Sequence, residues 1–187
     1  MNPTEIHIHD HLVEGCRKGE RSAQFELYRL YAKAMYNVSY RILLNREESE
    51  DILQEAFTEA FIGIDKFRGD SSFGSWLKRI VVNKSINAAK KRKMIFADLN
   101  EHTEFKDEEE NVSESAVPDG CTAEMIKENL SLLPDGFRLV FSLYMLEDWS
   151  HKDIAKELGI TESTSKSQLN RAKKKLAELI KEKLNVQ

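Results

Sequence analysis

One acidic stretch without apolar rhythm, residues 98–120, constrains the fold of this chain more than any other feature. Between positions 94 and 120 stand nine carboxylates (Asp98, Glu101, Glu104, Asp107, Glu108, Glu109, Glu110, Glu114 and Asp119) against the single Lys106. Such a segment, which also holds Pro118 and Gly120, buries too little apolar surface to offset the entropy of ordering it. It is expected to be a solvated, flexible linker. The flanking sequence must then build two small cores rather than one large one. The predicted organisation is a tail and first helix over 1–20, a domain over 21–95, the linker over 96–120 and a second domain over 121–187.

Both domains are predicted to be all-α. In the first, apolar residues recur at helical spacing through Phe25, Tyr28, Leu30, Tyr31, Met35, Val38 and Ile42, with Ser22 as the expected cap. Asn45 followed by Glu48 has the form of a capping box. The helix it opens carries an apolar stripe of Leu53, Ala56, Phe57, Ala60, Phe61 and Ile64, and an opposite face of Glu47, Asp51, Gln54, Glu55 and Thr58. A third helix is predicted over 72–94, with Phe73, Trp76, Leu77, Ile80 and Val81 inward. Beyond the linker, helices are expected over 122–133, from Pro134 through Leu146, and from Ser150, whose partner in a capping box is Asp153. Leu158, Gly159 and Ile160 followed by Thr161 have the sequence form of a tight glycine turn into a new capped helix, the signature of a helix-turn-helix.

The charge is segregated along the chain. The net charge is −4 over 187 residues, but without the acidic segment the two flanks carry small positive charges. The helix over 72–93 holds seven cations (Lys78, Arg79, Lys84, Lys90, Lys91, Arg92, Lys93), and no acid occurs between Asp70 and Asp98. A merely solvated face would mix signs, so this helix is expected to follow a phosphate backbone. Its residues Arg79, Asn83, Ile86, Asn87 and Lys90 are spaced to share one face. Just before it, Phe67 and Phe73 flank a loop of Gly and Ser able to fold around an unstacked base, with Arg68 beside it and Trp76 as either core or stacking platform.

The last helix, from Glu162, would present Thr164, Lys166, Ser167, Gln168 and Asn170 to base edges, with Arg171, Lys173 and Lys174 nearer the phosphates. The Asp51, Gln54 and Glu55 stripe would repel DNA and suits a basic protein partner, although an acidic stripe is also an ordinary solvated surface.

Other classes have weaker support. His7, His9, Asp10 and His11 resemble a metal cluster in composition, but they lie in a tail without packing signals, so no metal or cofactor is expected. Cys16 and Cys121 are far apart and form no CxxC spacing, so reduced thiols are expected. No apolar run reaches the length of a membrane span, and the N-terminus has no signal-peptide core, which suggests a cytoplasmic location. No nucleophile elbow, phosphate-cradling loop or paired-carboxylate site suggests an enzyme.

Four stretches, DILQEAF (51–57), FRGDSSFGSWLKRIVVNKSIN (67–87), LPDGFRLVFSLYMLEDWSHKDIAKELGI (133–160) and TESTSKSQLNRAKKKL (161–176), together resemble the extracytoplasmic-function (ECF) sigma factors of the sigma-70 family, in the family's order and separation. The resemblance implies an initiation factor for bacterial RNA polymerase without catalysis of its own, and a monomer when free. Region 2 would span 21–95 and region 4 would span 121–187. By this resemblance Asp51, Gln54 and Glu55 would bind core polymerase. The loop over 67–75 would take up a base of the minus-ten element, with Phe67, Arg68, Phe73, Trp76, Lys78, Arg79, Asn83 and Asn87 as its DNA contacts. Thr164, Lys166, Ser167, Gln168, Asn170, Arg171 and Lys174 would read the minus-thirty-five duplex. An anti-sigma protein is the further partner the resemblance implies, and the acidic linker would run through a basic channel as a nucleic-acid mimic. The chain departs from the family pattern at Ser165 and Gln168, where an aliphatic residue and an arginine are usual, implying altered minus-thirty-five reading. It also departs at Gly74, where a bulkier residue is usual, implying a looser base pocket. The competing readings are a stand-alone helix-turn-helix regulator and a metal-dependent nucleic-acid enzyme using the histidine tail.

Overall fold

The computed structural model describes residues 9–91 and 122–185. The expected linker, His7 and Cys121 lie outside these. Among the described residues all regular structure is helical, and the chain divides into two compact units, the first ending at Ala88.

In the first unit, α1 (Asp10–Arg17) carries an acid in its first turn and a cation in its last, the arrangement a helix dipole favours. The chain turns at Gly19, whose φ of 76° suits a residue without Cβ. α2 (Arg21–Leu43) then packs back so closely that a Cβ on Gly15 of α1 would stand 2.7 Å from Cβ of Ala23.

α2 starts one residue before the expected cap. Glu20 holds the N-cap position and Ser22 lies inside the helix. Its buried stripe is Ala23, Leu27, Met35, Val38, Ile42 and Leu43. Phe25 is 68% exposed, and Tyr28 and Leu30 also face solvent. With Leu27 inward, Phe25 falls about 200° around the helix and must point out.

α3 (Arg46–Ile62) begins as its capping sequence predicts, with the Glu48 amide donating to Oδ1 of Asn45 at 3.0 Å. Its expected stripe is the one buried, joined by Ile52, with Phe61 half-buried. A 3-10 turn, Ile64–Lys66, leads into the loop before α4 (Phe73–Lys91). Ser72 caps α4 by accepting the Ser75 amide at 3.1 Å. Where α4 crosses α2, the buried hydroxyls of Ser85 and Ser39 meet at 3.0 Å, so each polar group finds a partner in the core.

In the second unit, Thr122 caps α5 (Ala123–Leu130), and Pro134 precedes α6 (Asp135–Phe141), which runs on as a π-helical turn, Ser142–Leu146. Arg138 is buried here, pairing with Asp135 and donating to the Leu133 carbonyl at 3.1 Å, which satisfies a backbone acceptor left over after α5 ends. α7 (His151–Leu158) has the Ser150 cap, with the Asp153 amide on its hydroxyl at 3.1 Å. Gly159, at φ 71°, ends it. Thr161 then caps α8 (Glu162–Asn185), accepting the Thr164 amide at 3.0 Å. α8 is the spine of this unit, with α5, α6 and α7 all packed against it. Leu169, Ala172, Leu176 and Ile180 face inward.

Candidate nucleic-acid interface

The loop before α4 is built on an aromatic core. Phe67 is 5% exposed and Phe73 3%. Their rings meet edge-on at 5.9 Å, and Trp76 lies 5.4 Å from Phe67 and 5.8 Å from Phe73. Tyr31 of α2 closes the cluster against Phe73 at 5.5 Å. This corrects the expectation of Phe67 and Phe73 as side-chain contacts to minus-ten DNA, since both are buried. Their faces are taken by each other and by Trp76 and Tyr31, so they frame the loop. Trp76 is half-buried and Arg68 exposed.

The expectation of a looser pocket at Gly74 is also corrected. A Cβ there would stand 2.6 Å from Cε1 of Tyr31, so the missing side chain is replaced by the tyrosine ring. The Tyr31 hydroxyl in turn meets Nδ1 of His9 at 2.7 Å. His9 is therefore committed to the packing of the first unit, and among the described residues no cluster of His, Cys, Asp and Glu stands together as metal ligands. At the other end of the loop, Arg17 of α1 donates to the Phe67 carbonyl at 2.7 Å. Neither contact has a sequence signature, because the partners lie 22 and 50 positions apart. Cys16 is buried, and that burial, followed by the charge of Glu20, raises its thiol pKa.

Along α4, Arg79 and Asn87 are exposed, while Lys78, Asn83 and Lys90 are half-exposed. Ile86, placed with them by spacing alone, is fully buried. Its apolar side chain defines the inner edge of the face, and Arg79, Asn83 and Asn87 remain in line, four apart. On α3, Asp51, Gln54 and Glu55 are all exposed on one side. Lys84 of α4 reaches that side, 3.0 Å from Glu59 and 3.3 Å from Glu55. Its pKa is raised, first by the hydrogen bond to Glu59 and also by that to Glu55, against a lowering by burial. Lys84 thus belongs to the acidic side, apart from the other cations of its helix.

On α8 the exposed face is Lys166, Asn170 and Lys174, four residues apart, flanked by half-exposed Thr164, Ser167 and Arg171. Gln168 is corrected. It is 1% exposed and faces the core, where its Oε1 finds no partner. Ser165, at 0% exposure, also faces inward and meets Nδ1 of His151 at 2.9 Å. The two departures on this helix are therefore packing positions and do not lie on the outer face. The His151 ring stacks on Tyr144 at 4.3 Å. Its pKa is lowered, first by burial and then by Lys166 and Lys173, against the raising effect of Glu162.

Two helical units, one with a one-signed helix beside an aromatic loop and the other with a helix-turn-helix, define a DNA-binding protein of the kind used in transcription. Family models agree with each unit separately, Sigma-70 region 2 over residues 27–94 and Sigma-70 region 4 over residues 123–176. The chain belongs to the sigma-70 family, among its extracytoplasmic-function sigma factors. It is 27% identical over 178 residues to the ECF RNA polymerase sigma factor SigW of Bacillus subtilis, covering 91% of this chain and 95% of the relative. It is 28% identical over 170 residues to the ECF RNA polymerase sigma-E factor of Escherichia coli, covering 87% and 88%. In fold it is similar to the sigma factor RpoE of Bartonella quintana, solved in complex with the anti-sigma factor NepR. That likeness has a TM-score of 0.50 at 22% identity, over 83% of this chain and 95% of that one. Sigma factors are regulatory subunits rather than catalysts. Among the described residues no helix is long and apolar enough to cross a membrane.

Proposed function

We propose that this protein binds core RNA polymerase, brings it to promoters and opens the minus-ten element by holding one strand after it unpairs. The observation that carries this reading is the helix α4, whose outer face presents Arg79, Asn83 and Asn87 in line beside the loop, in a stretch of sequence without a single acid. Such a face holds phosphates of either strand. The adjoining loop adds a place for a base that only an unpaired strand can supply.

Unstacking a base costs a few kcal/mol, and each base held by a pocket or aromatic surface returns about 1–3 kcal/mol. A few held bases therefore bias opening without ATP. In this scheme Asp51, Gln54 and Glu55 dock on the polymerase, with Arg68, Trp76, Lys78, Arg79, Asn83 and Asn87 on the melted strand. Thr164, Lys166, Ser167, Asn170, Arg171 and Lys174 hold the minus-thirty-five duplex. An anti-sigma protein is the regulatory partner, by likeness to the B. quintana factor bound to NepR.

Run-off transcription with core polymerase on a promoter library tests the reading, and specific start sites are expected. Tight promoter binding without polymerase would favour a stand-alone regulator instead. On a promoter so found, Asp51→Lys is expected to weaken polymerase binding about tenfold or more, since it sets like charges together. Asn83→Ala is expected to spare that binding and reduce permanganate reactivity of unpaired thymines. Normal thymine reactivity with Asn83→Ala would remove α4 from the opening step.

A further inference from the structure

We infer that Arg17, on α1, is a positioning residue for the loop that takes up the extruded base. The inference rests on the base-uptake reading above and adds to it an element that carries none of the DNA-facing residues.

α1 packs directly on the 3-10 turn, Ile64–Lys66, that leads into the loop. At the end of that turn the chain leaves in extended form at Phe67, and the guanidinium of Arg17 holds the Phe67 carbonyl at 2.7 Å. The donor is a guanidinium cation, so this is a charge-assisted bond to the first carbonyl of the loop. The far end of the loop is held, through Tyr31, from the opposite end of the same helix. His9, at the N-cap of α1, meets the Tyr31 hydroxyl at 2.7 Å, and the Tyr31 ring fills the space over Gly74 and packs on Phe73. α1 therefore braces the loop at both its entry and its exit.

Between those two points the loop contains Gly69, at φ 79°, a residue whose missing Cβ leaves many backbone paths open. A loop that spends only part of its time in the uptake geometry binds its base more weakly by that fraction. Arg17 raises the fraction without touching DNA, and its effect is confined to the base held in the loop. A residue that only stabilised the domain would weaken every contact of the unit alike.

The test uses the full-length protein with core polymerase and single-stranded minus-ten oligonucleotides from a promoter selected by run-off transcription. Each position in turn carries an abasic sugar. With the wild-type protein, removing one particular base is expected to weaken binding about tenfold, the loss of one held base. In Arg17→Ala that penalty is expected to shrink about three- to tenfold, with polymerase assembly unchanged. Arg17→Lys, which keeps a charged donor, is expected to restore most of the penalty. Arg17→Gln, which keeps the stem and a neutral donor, gives an intermediate value and serves in place of Arg17→Ala should the latter fail to fold. An undiminished penalty in both Arg17→Ala and Arg17→Gln overturns the inference while leaving base uptake intact. A wild-type protein indifferent to every abasic position overturns base uptake itself, and the inference with it.

Discussion

Replacing Gln168 by leucine separates the sequence reading of α8 from the structural one. By spacing and residue type Gln168 is a base-reading side chain. In the structure it is 1% exposed, and its Oε1 has no hydrogen-bond partner. A buried carbonyl oxygen without a partner costs about 1–3 kcal/mol relative to water. Leucine removes that oxygen at similar volume but changes the shape of the branch point, which gives back part of the gain. The expected net effect is a stabilisation of about 1 kcal/mol, or roughly 4–8 °C in the midpoint of a unit this small.

Each unit contains one tryptophan, Trp76 in the first and Trp149 in the second. In a Trp76→Phe background, Trp149 fluorescence during thermal unfolding reports the second unit alone, which avoids treating a two-unit chain as a single transition. Under the proposed function, Gln168→Leu with core polymerase should bind the minus-thirty-five duplex as the parent does. Lys166→Ala, on the outer face, should weaken duplex binding and lower the salt dependence by about one counterion. A tenfold loss of duplex binding in Gln168→Leu with the fold intact would place that side chain in the groove and refute its assignment to the core. A fall in the midpoint would refute the unpaired-oxygen argument.

The lowered pKa of His151 makes the second unit sensitive to acid. The folded state takes up its proton at lower pH than the unfolded chain, whose value is near 6.5. Stability is therefore complete above that value and falls as the pH drops from it towards the folded value. Urea midpoints at pH 7.5 and 5.5 are expected to differ in the wild type and to converge in His151→Asn, and an unchanged difference would remove His151 as the source. Gly74→Ala is expected to cost about 1–3 kcal/mol by forcing Cβ against Tyr31. Because the two residues share that space, combining it with Tyr31→Leu should recover at least half, and strict additivity of the two changes in a double-mutant cycle would contradict the contact.

Local chemistry was legible from sequence where a few adjacent residues decide the outcome. The Asn45, Ser150 and Thr161 caps, the Gly159 turn and the stripe of α3 follow from such short patterns. What failed was the rotation of a helix about its own axis. α2 carries apolar residues nearly all the way round, so spacing alone admits more than one buried stripe, and packing selected the one through Leu27. α8 has the opposite ambiguity, with polar residues on both sides, and its inward-facing Ser165 and Gln168 look no different in sequence from its outward-facing Ser167 and Asn170. The Arg17 and Tyr31 contacts were invisible for a third reason, since their partners are brought close only by the tertiary fold.

Burial of Phe67 and Phe73 changes how base uptake by this loop would work. A pocket that presents open aromatic rings holds a base chiefly by stacking, and every base stacks. Here the two phenylalanine rings are packed edge-on in the core with Trp76 tilted against them, which leaves the loop backbone and the half-buried Trp76 to meet a base. Backbone amides and carbonyls make directional bonds, so a pocket built from them distinguishes bases by their edges rather than by their faces. Such a pocket is useful only when its groups are held in place before the base arrives, because each group ordered on binding subtracts from the affinity. In this reading the aromatic cluster beneath the loop, the Arg17 bond at its entry and the Tyr31 ring at its exit supply that order. Under the proposed function, the rings that look like stacking platforms in the sequence act instead by keeping the loop's polar groups fixed.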